Sequence, residues 1–245
     1  MTYIYMKSKN KLIVILFLVF LIICKCSNLV EGFEKDKEDL TFTRTQDWGK
    51  YEWEAANLLN RTNQNILRNL PIIPFPKNSS EQTKLELEDI KDKRKKLDEK
   101  HYKEIVAERE WENTIKQFNP TAEEEKKLND YIFDKVQPIH LTLKRHFDRV
   151  RPSFLDKSIV PVIRVPAHAS YPSGHSTECW SLAFSLSDKY PERKDKYYSI
   201  ANNIATNRER AGLHYKSDSD YGRLLAKKML EMVGSENHPL LGHYL

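Results

Sequence analysis

The chain of 245 residues has three cysteines, seven glycines and one long apolar run, and each scarcity narrows what it can be. Cys24 and Cys26 lie in the first 26 residues, so Cys179 stands alone in the remainder. If cleavage follows residue 26, an internal disulfide framework is excluded. The apolar run, residues 12–24, follows Lys7, Lys9 and Lys11 with no acidic residue before it. It suits a signal-peptide core or a short uncleaved anchor and is too short for a comfortable transmembrane helix. The expectation is export to a periplasm, a secretory lumen or the exterior, with membrane contact only through this leader. No second run is long enough to cross a bilayer, and mean hydropathy is −0.66.

A localised basic excess is also missing. The formal charge is +5, but four of the 40 basic residues belong to or flank the leader, leaving 36 against 35 acidic ones. Nucleic acid is therefore not an expected partner. No stretch alternates with period two, so strands are not expected, and no His/Asp/Glu cluster has convincing metal-ligand spacing. Asp218 and Asp220 in SDSD are more economically read as a histidine orienter and a first-turn helix acid than as a metal pair.

What is present is helical patterning. Residues 47–70 carry apolar positions at Trp48, Tyr51, Ala55, Leu58 and Leu59 before PIIPFP ends the pattern. Residues 81–118 are rich in Glu and Lys with a sparse apolar set, which predicts a long solvated helix or helical hairpin over the core. A further pattern runs over 121–149, with Pro138 as a kink or break, and three more follow His175. The fold class expected is all-α, a helical bundle with its site among helix ends and connecting loops. The organisation expected is a leader (1–26), a helical extension packing on the core (27–120) and a catalytic core (121–245). Asn60 and Asn78 head glycosylation sequons.

Three clusters fall in the last 102 residues. In KRHFDRVRP, Lys144 and Arg151 are seven apart, two turns on one face if helical, while Pro152 biases Arg151 away from helix. SYPSGHST places Ser173 and Gly174 at the start of a helical pattern, a plausible phosphate cradle because helix N-terminal amides favour anions. NRERAGLHYKSD ends an apolar face on Arg208 and sets His214 four residues before Asp218. His101, His140, His238 and His243 read as solvated or structural, and so do His146 and His168, the last close enough in sequence to line a pocket. Cys179 reads as a buried small hydrophobe.

In order and at full spacing, K-x6-R-P, P-S-G-H and R-x5-H-x3-D resemble the signature of the type 2 phosphatidic acid phosphatase superfamily, which includes class A bacterial acid phosphatases and vanadium haloperoxidases. The likeness runs from Lys144 to about Ala226, and SYPSGHST and GLHYKSDSDYGR are most similar to the soluble acid-phosphatase branch. One departure is Asn207, where that family usually has serine before the arginine. The resemblance implies a helical bundle and hydrolysis of small phosphomonoesters without a metal cofactor. Lys144, Arg151 and Arg208 would hold the phosphate oxygens, with the Ser173 hydroxyl and Gly174 amide as neutral donors. His214 would be the nucleophile, oriented by Asp218, and His175 the acid and then the base; these histidine roles come from the resemblance, since spacing alone permits the reverse. Vanadate is isosteric with phosphate and could occupy the same site, so a vanadium-dependent haloperoxidase is the alternative enzyme. A noncatalytic interaction protein using residues 81–118 is the alternative outside enzymes.

Overall fold

Side-chain caps start the helices from residue 81 onward more often than those before it. In a computed structural model, which describes residues 37–57, 61–234 and 237–242, Lys50–Ala55 (α1) and Arg61–Asn69 (α2) precede the proline-rich loop. The Glu/Lys-rich region is broken into three helices rather than one or two: Glu81–Lys95 (α3), Glu99–Ala107 (α4) and Trp111–Lys116 (α5). Ser80 caps α3 by accepting from the Thr83 amide, and Asp98 caps α4 by accepting from His101, so each restart has its own local stop and start. The leader, Cys24, Cys26, Leu58, Leu59, Asn60 and His243 lie outside the described residues. No described helix is long and apolar enough to cross a membrane.

Ala122–Tyr131 (α6) opens with a capping box between Thr121 and Glu124. It runs through a π turn, Ile132–Val136, into Gln137–Phe147 (α7). The break falls where Pro138 lacks the amide that would serve the Asp134 carbonyl in a regular α-helix. The buried Asn63 side chain donates to that carbonyl instead, at 2.8 Å, tying α2 to the break. Asp148 closes α7 in the left-handed region (φ 50°), and a short helix, Pro152–Leu155 (α8), follows.

The centre is α9 (Gly174–Lys189), which packs along both α10 (Lys194–Arg210) and α11 (Lys216–Val233). Its inward residues, Cys179, Trp180, Leu182, Ala183 and Leu186, join Ile204, Leu225 and Met229 in the main core. Gly222 lets α11 approach α9 closely: a Cβ there would lie 2.9 Å from the Ser173 carbonyl oxygen and 3.0 Å from Ser176 Cβ. Cys179 is fully buried, and burial raises its thiol pKa well above the usual range. Among the described residues there is no strand, only one antiparallel bridge between Thr41 and Arg149, and the fold is all-α. Asn78, in the second sequon, is buried with its side-chain amide donating to the Leu40 carbonyl, so its nitrogen is engaged in the folded chain.

Candidate active site

Chain termination at Asp148 decides where the first two cations go. Lys144 sits in the last turn of α7, whereas Arg151 lies past the helix in extended conformation (φ −79°, ψ 155°) as the residue before Pro152. The two do not share one helix face; the left-handed turn at Asp148, not helical periodicity, brings Arg151 back toward Lys144. Lys144 Nζ donates to the carbonyls of Ala169 and Ser170, both at 3.0 Å. Arg151 donates to the carbonyls of His168 (Nη2, 2.9 Å) and Leu213 (Nη1, 2.9 Å). Both side chains are buried. Burial, reinforced by Arg151, pushes the Lys144 pKa well down, and burial lowers Arg151 to about 10.

Ser173 caps α9, its hydroxyl accepting from the Ser176 amide, so Gly174 and His175 form the first helical turn. Gly174 faces the ring of His140: a Cβ added there would stand 3.1 Å from His140 Cε1. His175 Nε2 lies 2.9 Å from the Glu108 carbonyl oxygen. A carbonyl only accepts, so Nε2 carries hydrogen and Nδ1 is left for a transferable proton. Burial, helped by the Arg208 charge, lowers the His175 pKa to about 4.

The last cluster joins α10 to α11. Arg208 Nη2 is ion-paired to the buried Glu108 carboxylate and donates to the Ile105 carbonyl at 3.1 Å. Nε is buried without a partner, and among the described residues Nη1 makes no hydrogen bond. His214 Nδ1 is 3.0 Å from Asp218 Oδ2, and its Nε2 is 3.3 Å from Arg151 Nη1. Asp218, fully buried, also receives Arg149 (2.6 Å), the Ser170 hydroxyl and the Tyr215 amide. Burial would raise its pKa, but Arg149 and His214 outweigh that and hold the carboxyl far below the usual range. As an anion it accepts the Nδ1–H of His214, which leaves the Nε2 lone pair to face Arg151 Nη1. Burial and Arg151 push His214 well below the ordinary imidazole range, so the neutral ring persists into acid.

A cavity of about 640 Å³ is lined by Gly174, His175, Arg208 and His214 among others; Lys144, Arg151, Ser173 and Asp218 are buried outside that lining, with Arg151 and Asp218 reaching it through their bonds to His214. Among the described residues no group of three or more His, Cys, Asp or Glu is placed to hold a metal ion. Asp220 is ion-paired with Lys216 on the exposed face, and the first-turn acid of α11 is Asp218 instead. His168 lines the cavity against Arg151, and His140, taken as structural from sequence, lines it too. His140 Nε2 is 2.9 Å from Glu178 Oε1 and its Nδ1 is buried without a partner. Sequence reasoning also missed Glu108, Arg149, Ser170 and Glu178. Ser170 opens the SYPSGHST string, and Glu178 follows His175 by one helical turn, so both had a signal; Glu108, inside a solvated-looking charge run, had none.

Comparison with known proteins places this geometry. The model of the PAP2 superfamily matches residues 133–229. A non-specific acid phosphatase of Providencia stuartii is 35% identical over 63 residues, 26% of this chain and 25% of that protein. The crystal structure of a bacterial vanadium-dependent iodoperoxidase aligns with TM-score 0.51 at 16% identity, covering 76% of this chain and 56% of the other, a likeness of fold. The chain thus spans about a quarter of the curated relative's length and just over half of the solved structure's. The match to the PAP2 superfamily model thus takes in all eight residues singled out by the three clusters.

Proposed function

We propose that this chain is an exported phosphomonoesterase that works without a metal cofactor through a phosphohistidine at His214. The observation that carries the reading is the bonding of His214: Asp218 holds Nδ1–H, and the Nε2 lone pair lies against Arg151 in the cavity wall. Phosphate oxygens entering beside Arg151, Arg208 Nη1 and the Gly174 amide would draw those donors and leave the Nε2 lone pair in line with phosphorus. The P–N bond forms as the ester P–O bond breaks, and His175, protonated on both nitrogens in acid, gives its Nδ1 proton to the departing oxygen, releasing an alcohol. In the second step His175 takes a proton from water, whose oxygen bonds to phosphorus as the P–N bond breaks. Inorganic phosphate leaves, and His214 regains its lone pair.

The resemblance to a non-specific acid phosphatase supports this chemistry, and the low His175 pKa supports an acidic working range. The fold shared with a vanadium enzyme supports a second reading, in which the same cations and His214 would hold vanadate. Vanadate would supply halide oxidation when bound, and the chain's cations would balance its charge. Hydrolysis of an aryl phosphate by protein lacking residues 1–26, with and without chelator and vanadate, tests the choice. Turnover that resists chelator, is inhibited by vanadate and is lost in His214→Ala is the expected result. Halide oxidation with vanadate and no hydrolysis would assign the haloperoxidase chemistry instead.

A further inference from the structure

The cavity is far larger than a phosphate group requires. Its volume of about 640 Å³ falls in the range of roughly 300–1,000 Å³ that holds a whole drug-sized ligand, so most of it faces the part of the substrate beyond the transferred phosphoryl group. Two guanidiniums line that space and are not used by the mechanism above: Arg109 and Arg164. Both are exposed, unlike Lys144, Arg151 and Arg208, which places them on the solvent side of the cavity.

Neither has an ion-pair or hydrogen-bond partner among the described residues. The outer wall does contain a carboxylate, Glu52, but it is folded back on Gly49, where a built Cβ would fall 2.1 Å from its Oε2. The positions are also fixed by the site itself. Arg109 follows Glu108, whose carboxylate holds Arg208 and whose carbonyl holds His175. Arg164 stands in the loop tied down by the Val162 amide on the Ala211 carbonyl (3.0 Å) and by Arg151 on the His168 carbonyl. Beside them Trp111 and Phe133 meet edge to face at 6.1 Å, with Phe133 43% exposed, offering a ring surface.

We propose that Arg109 and Arg164 form a second anion subsite, so that the preferred substrates are phosphomonoesters whose leaving group carries a further phosphate on a planar or apolar body. This rests on the phosphatase reading and names its substrate class. Each arginine acts as an exposed charge, so its removal should weaken binding of the second phosphate about fivefold, more at low salt than at high.

The test is calorimetric binding in a His214→Ala background, which prevents turnover, with adenosine 3′,5′-bisphosphate, adenosine 5′-monophosphate and inorganic phosphate as probes. The expected result is tighter binding of the bisphosphate than of the monophosphate, a preference lost in Arg109→Ala/Arg164→Ala, while inorganic phosphate affinity changes less than twofold. Phosphate binding with an unchanged bisphosphate preference in the double variant, or equal losses for all three probes, would overturn the subsite alone. Absence of phosphate binding in the wild-type protein as well would sink the phosphatase reading and the subsite with it.

Discussion

His175 and His214 derive their proposed roles from the atoms they cannot use. One ring nitrogen of each is held, by the Glu108 carbonyl and by the Asp218 carboxylate, and the other nitrogen is left for chemistry. Burial and neighbouring cations lower the pKa of both rings, which has a consequence for stability. His175 titrates near 6.5 in an unfolded chain and near 4 when folded, so between these values the unfolded state binds more protons. Stability is therefore full above about pH 6.5 and falls as pH drops toward 4, with His214 and His168 acting in the same direction. Urea unfolding at pH 7 and pH 5 should show a lower midpoint at pH 5, and millimolar phosphate should restore part of the loss by binding the folded state. A midpoint that rises on acidification would show that these rings are not buried neutral.

At the scale of elements, much of the fold was legible and the reasons are specific. The capping residues Ser80, Thr121 and Ser173 announce their helices, and Pro138 marks the break that the π turn absorbs. The site motifs were legible because each sits at a helix end, where short spacing fixes geometry: His214 and Asp218 straddle the start of α11, and Ser173 and Gly174 the start of α9. The path of Arg151 was not, because the left-handed turn at Asp148 has no glycine to announce it. Nor was the role of Gly222, which depends on a neighbouring helix. Its replacement by alanine would force the α9–α11 contact apart, costing about 1–3 kcal/mol as overpacking does. Thermal unfolding of Gly222→Ala checks this, with a midpoint lowered by several degrees expected and an unchanged midpoint contradicting the close approach.

Over the whole molecule, the described chain from Leu40 onward forms one compact unit, and contacts to the site come from well before residue 121. Glu108 at the end of α4 pairs with Arg208, and Glu86 on α3 accepts from Arg149, which in turn holds Asp218. Such long-range partners are invisible to periodicity, which reports a face but not what the face meets. Breaking the first of these pairs leaves a buried arginine without its counter-ion, so Glu108→Ala should destabilise the protein by about 3–5 kcal/mol. Chemical denaturation is the measurement; a loss below about 1 kcal/mol would mean that this pair is not buried in the folded protein.

The most direct test of the account is to trap the phosphorylated enzyme. Protein mixed with an aryl phosphate, quenched in alkali within milliseconds and digested for mass spectrometry, should carry one phosphoryl group on the peptide containing His214. The group should be lost on acid treatment and absent from His214→Ala. Steady turnover with no phosphopeptide, or with the phosphoryl group on another residue, would contradict covalent catalysis at His214.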